Sequence, residues 1–215
     1  MSQLRRARSG QALTDSVFST ISGGDSNIVD FNWSSDTVEP LIDDYPYSGQ
    51  KIFRGSFTHL QEHPFSENDV RETDFEFLYR EESRIFILDT NGPSEAISDA
   101  FSAINSRLPN GLRIQPGLSG SRSAIWGFIQ TADEIGEIKV WKDNDIVPVD
   151  QIESSKEELM GETIVWDAEL FFDNPEDSGQ NLVIYNEESL SSATGSIEEL
   201  EYVIQLFEKT IMRGA

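Results

Sequence analysis

The sequence predicts an α+β fold, a mixed or antiparallel sheet with helices on one face, and two stretches carry that prediction. Residues 74–108 read as strand, tight turn, strand, helix. Residues 163–213 repeat that order with other side chains. The recurrence admits two readings: a pair of strand-turn-strand-helix lobes, or the ordinary alternation of a chain in this fold class.

The opening residues are less regular. Positions 1–9 hold Arg5, Arg6 and Arg8 and no acid, a small basic arm on an acidic chain. Leu13, Val17, Phe18 and Ile21 recur at helical spacing, and Gly23-Gly24 ends that short amphipathic helix. Residues 25–50 turn to Ser, Asp and Pro, with room for one strand at 28–33. The expected division is therefore an N-terminal arm at 1–49, with a short helix and an irregular wrap, and a single α+β domain at 50–215.

That domain begins with a strand at 51–57. Phe75, Phe77 and Tyr79 then alternate with Glu76, Leu78 and Arg80, which turns an aromatic face toward a core. After a turn at Glu81-Glu82-Ser83, residues 85–88 are apolar on both sides, so this strand belongs inside the sheet. Asn91-Gly92-Pro93 opens a helix, with Pro93 where a missing N–H costs nothing and Glu95 near the positive end of the dipole. Ile97, Ala100, Phe101, Ile104 and Leu108 form its buried stripe, and Pro109-Asn110-Gly111 stops it.

A short strand follows at 112–115, and the apolar run 124–129 is too brief for periodicity to separate strand from helix. Residues 137–141 and 146–149 flank a turn at 142–145 as a hairpin, and 154–160 suits a helical turn. Ile164, Trp166, Ala168, Leu170 and Phe172 give the next strand one apolar face, and residues 182–185 are its partner across a polar turn. Ser196 and Glu199 make a capping box at the start of the stripe Ile197, Leu200, Ile204, Phe207 and Ile211.

Acids outnumber bases 39 to 16, a formal net charge of −23, and arginines outnumber lysines eleven to five. Such a surface repels phosphate backbones, which argues against general nucleic-acid binding except through Arg5, Arg6, Arg8 or the loop around Arg122. It suits adaptation to high salt, with nucleic-acid mimicry or docking of a basic partner as alternatives. No apolar run reaches the ~20 residues that span a bilayer, and no signal-peptide stretch follows Met1, which points to a cytoplasmic protein without a membrane segment. The chain has no cysteine, so a metal would need His, Asp or Glu.

Three strings bear on metal chemistry. His59-Leu60-Gln61-Glu62-His63 has the H-x-x-E-H order of the inverted zinc peptidases, in which histidines four apart on a helix share one Zn²⁺. Pro64 directly after His63, and a strand ending just before His59, argue against that helix. Glu137-Ile138-Lys139 on a strand matches the E-x-K half of a metal-dependent nuclease site, but no acid stands upstream on a neighbouring strand to complete it. Ile87-Leu88-Asp89-Thr90-Asn91 resembles the opening strand of PIN-type nucleases, in which an aspartate at the strand's end helps bind metal; the resemblance covers five residues and carries no site residue over, so Asp89 reads as a helix-capping or turn residue. No phosphate-binding G-x-x-x-x-G-K-[ST] loop, G-x-G-x-x-G turn or G-x-S-x-G elbow occurs, and no cofactor is expected.

The most informative feature is an absence. At the average density of acids, positions 100–132 would hold about six by proportion, and they hold none, while Arg107, Arg113 and Arg122 are all there. Ser119, Ser121 and Arg122 in the Gly/Ser-rich loop, with Arg107 and Arg113, have the hydroxyls and guanidinium groups that hold an anion or a partner's carboxylates. The competing expectation is a loop whose arginine pairs with the chain's own acids. The function expected from these features is non-catalytic, a binding or adaptor protein that engages a protein partner; the alternative is a metal-dependent hydrolase or nuclease.

Overall fold

The computed structural model describes residues 2–8, 12–22, 27–62, 70–90, 92, 94–115, 120–154, 158–160, 163–173, 179–186, 189–192 and 200–211. The fold is α+β, and its contacts form two units. One comprises Met1–Glu39 with Gly49–Pro116, the other Pro40–Ser48 with Gly117–Ala215. The chain therefore groups otherwise than as an arm and one domain parted after residue 49.

The first unit runs β1 (Ser2–Arg8), α1 (Asp15–Ser22), β2 (Ile28–Thr37), β3 (Lys51–Glu62), β4 (Val70–Arg80), β5 (Ile85–Asp89), α2 (Ser94–Arg107) and β6 (Arg113–Gln115). Its strands pair antiparallel in the order β2-β3-β4-β5-β1, with β6 also on β1. The basic N-terminus is a sheet strand and not an arm: Arg5 pairs with Phe86, and Arg6 with Ile85 and Gln115. The doubly apolar β5 lies between β4 and β1, as its sequence requires.

Helices α1 and α2 cover one face of this sheet, where the aromatic alternation of β4 meets them. Phe18 of α1 stacks on Phe53 at 4.6 Å and on Phe77 at 5.7 Å, and Phe101 of α2 meets Phe86 edge-on at 6.0 Å. The backbone N–H of Leu13 donates to the hydroxyl of Tyr79 at 3.1 Å, which fixes the entry to α1. Gly55 is required where β2 bulges between Val29 and Asn32, because a Cβ there would sit 2.0 Å from the Asn32 carbonyl oxygen.

The second unit contains α3 (Arg122–Ile129), β7 (Glu134–Lys142), β8 (Asp145–Pro148), a 3₁₀ turn (Val149–Gln151), β9 (Ile164–Asp173), β10 (Gln180–Asn186), β11 (Ser189–Ser192) and Glu201–Ile211, here α4. The antiparallel order is β8-β7-β9-β10-β11. The expected connection at 142–145 tightens to a two-residue turn, Asp143 and Asn144 at φ of 52° and 65°, because Lys142 and Asp145 pair as the ends of β7 and β8. The ambiguous run 124–129 is helix, and its Phe128 lies 5.7 Å from Phe172 and 5.2 Å from Phe207 in the core. The expected capping box at Ser196 and Glu199 lies outside the described residues.

Segment Pro40–Ser48 straps onto α4 through polar side chains. Gln205 accepts from the Leu41 N–H at 2.8 Å, buried Glu208 accepts from the Tyr45 hydroxyl, and Lys209 donates to the Asp43 carbonyl at 2.6 Å. The two units share one plan: α1-β2-β3-β4-β5-α2 and α3-β7-β9-β10-β11-α4 are each a helix, an antiparallel meander and a second helix, with β8 an added edge strand. Among the described residues no helix is long and apolar enough to cross a membrane.

Candidate functional site

The residues of the acid-free stretch fall in both units, Arg107 and Arg113 in the first, Ser121 and Arg122 in the second. Arg107 donates to the carbonyl oxygens of Ile21 and, at 2.8 Å, Ile28, so its guanidinium clamps the ends of the α1–β2 connection. Burial lowers its pKa, though a guanidinium keeps its charge. Arg113 is exposed and donates to the Leu112 carbonyl at 2.7 Å. Beside it, the Asn105 amide both donates to and accepts from the backbone of Ile114, at 2.8 and 2.7 Å, which holds β6 against α2.

Ser121 caps α3, accepting from the Ala124 N–H at 3.2 Å, so its hydroxyl is structural and Arg122 opens a helix rather than sitting in a loop. Ser119 lies outside the described residues.

His59 is on β3 in the middle of a ladder, and strand geometry runs on to Glu62, which removes the helical spacing that a shared Zn²⁺ would need. The ring is 3% exposed, lies edge-on to Phe75, and its Nε2 accepts from the Asn27 amide at 3.0 Å. Burial lowers its pKa, against an opposing pull from Asp99. The cleft beside it, about 580 Å³, is lined by Asn27, His59, Gln61, Asp99, Ser102 and Ser106 among others. His63 lies outside the described residues. Among those described, no three His, Asp or Glu side chains form a group that could hold a metal ion.

Glu137 and Lys139 are on β7 as expected, and they bond to each other at 2.6 Å. The acid missing upstream is supplied from downstream, for Asp167 of β9 stands directly opposite Lys139. Their surroundings come from a β-bulge. Val140 pairs with Val165 and Lys139 with Asp167, so Trp166 is an extra residue on β9. Val165 and Ala168 both point into the core, and the two residues between them are directed outward.

Strict alternation had placed Trp166 on the buried face with Leu170 and Phe172. The bulge instead leaves it 39% exposed, with its ring 5.9 Å from that of Trp141, which is 41% exposed. Ile164, paired with Trp141, is also exposed. On the same side, Glu169 passes so close over Gly136 that a Cβ there would lie 3.1 Å from its Cβ and Oε2.

The outer face of this sheet therefore joins two indole rings and an isoleucine to Glu137, Lys139, Asp167 and Glu169. The Glu137 carboxylate, bonded to the Lys139 ammonium, raises the pKa of that lysine. Burial raises the pKa of Asp167, and its neighbours Glu169 and Glu137 add to the effect while Lys139 opposes it. Sequence reasoning missed this face because a bulge leaves no mark in hydrophobic alternation. The two tryptophans in chain order gave the only signal. No known protein family matches the chain, and no curated protein matches it in sequence.

Proposed function

We propose that this chain is a non-catalytic binding or adaptor protein of the cytoplasm that engages a protein partner through the outer face of its second sheet. The observation that supports this reading is the pair Trp141 and Trp166, aromatic area left in water beside Ile164 on the bulged outer face of the sheet. Aromatic side chains concentrate at protein interfaces because they bury much area at small entropic cost, and contiguous apolar surface commonly marks an interaction site. The acidity is read as adaptation to high salt, which keeps the remaining surface soluble.

The test is quantitative co-purification from the native host with wild type and with Trp141→Ala/Trp166→Ala. The variant is expected to lose the co-purifying protein while its unfolding midpoint stays within experimental error of wild type. Retention of the same protein by the variant would refute the assigned face.

The competing reading, a metal-dependent hydrolase or nuclease, draws on Asp167 opposite Lys139. It requires a divalent cation at these carboxylates. Titration with Mn²⁺, followed by water-proton relaxation, is expected to give no saturable binding.

A further inference from the structure

We infer that the occupant of this face is a cationic protein segment, whose arginine or lysine lies over Trp141 and Trp166 with Asp167 and Glu169 as counter-charges. This rests on the binding reading above and goes further, to the chemistry of the partner. Tryptophan attracts cations most strongly of the aromatic side chains, through the negative face of its ring. Here two indoles stand 5.9 Å apart and inclined by 39°, both reaching solvent. The bulge at Trp166 places the second ring beside the first.

The charges around the rings select the sign of the ligand. Lys139 is bonded to Glu137, whereas the side chains of Asp167 and Glu169 make no hydrogen bond or ion pair among the described residues. Three carboxylates thus face one ammonium, and at Asp167 burial outweighs the opposing pull of Lys139, which is bonded to Glu137. A cation placed against Asp167 and Glu169 would satisfy both.

The same charges argue against the other occupants. A second copy brings another formal −23 and the same acidic face. Nucleic acid brings phosphates, which these carboxylates repel. A purely apolar segment would cover Asp167 and Glu169 without pairing them, at a cost in desolvation. In molar salt the screening length is about 3 Å, so only contact-range attraction survives, and ring-cation and carboxylate-cation contacts are of that kind.

The probes are three synthetic peptides of equal length, one with spaced arginines, one with each arginine replaced by neutral citrulline, and one with glutamate instead. Binding is read by titration calorimetry at low and molar salt. Wild type is expected to bind the arginine peptide at both salts, at least about tenfold more tightly than the citrulline peptide, in the range that cation–π contacts and ion pairing supply together.

Trp141→Leu/Trp166→Leu and, separately, Asp167→Asn/Glu169→Gln should each lose about that factor; the second pair keeps both rings and so controls for damage to the face. Equal affinity for the arginine and citrulline peptides, or undiminished binding by both variants, would overturn the inference. If peptide charge makes no difference while the co-purifying partner is still lost on removing the tryptophans, the face stands as an interface and only its proposed cation selectivity fails.

Discussion

Asn27 can only donate through its amide nitrogen, so the Nε2 of His59 that it meets at 3.0 Å must accept, and the neutral ring carries its proton on Nδ1. Protonation would set two donors against each other at a buried ring, in keeping with the lowered pKa. Because the folded pKa is depressed below the ordinary histidine value of 6.5, the unfolded chain takes up the proton first as pH falls. Stability carried by neutral His59 is therefore complete above that value and is lost progressively below it. Denaturant titrations should show wild type losing stability relative to His59→Gln as pH falls from about 7.5 to about 5.5; parallel curves would contradict this. Phe101 and Phe207, both fully buried, test packing at the same scale. Replacing either with Ala should cost about 3–5 kcal/mol of unfolding free energy, and a loss below about 1 kcal/mol would show a site that collapses around the deletion.

The helices and most strands were legible because each is written in one period. The α2 stripe, the alternation of Phe75, Phe77 and Tyr79, and the doubly apolar β5 all appear where their patterns put them. What escaped depends on partners distant in sequence. Nothing local marks Ser2–Arg8 as a strand, since its register is fixed by β5 and β6. Arg107 reads as a free cation until the carbonyls of Ile21 and Ile28 are brought to it. The run 124–129 became helix through a cap outside it, for Ser121 satisfies the N–H of Ala124. Ser121→Ala should accordingly cost about 0.5–2 kcal/mol, measured by denaturant unfolding, and Ser121→Asp should retain most of that stability; equal stability of all three would show that the cap is not needed. The strap gives a second test of an element. Tyr45→Phe removes a hydroxyl donor from the buried Glu208 carboxylate, and a loss of about 1–3 kcal/mol is expected.

Across the whole molecule the formal charge of −23 dominates. If the acidity is salt adaptation, the unfolding midpoint should climb from low to molar NaCl as repulsion among carboxylates is screened; a flat or falling midpoint would favour a surface evolved to meet a basic partner. The recurring helix-meander-helix plan invites cutting the chain in half, but the strap forbids a clean cut. Residues 40–48 are made between β2 and β3, yet their partners on α4 lie 163 to 166 positions later in the chain. During synthesis the first unit can close its own ladder while this loop waits beside it, its hydrogen-bonding groups turned to water. Only when α4 has left the ribosome does the loop find Gln205, Glu208 and Lys209. Completion of the second unit therefore waits for the synthesis of α4, and a fragment truncated before α4 would leave the newly made protein with an unfastened segment for chaperones and proteases to read.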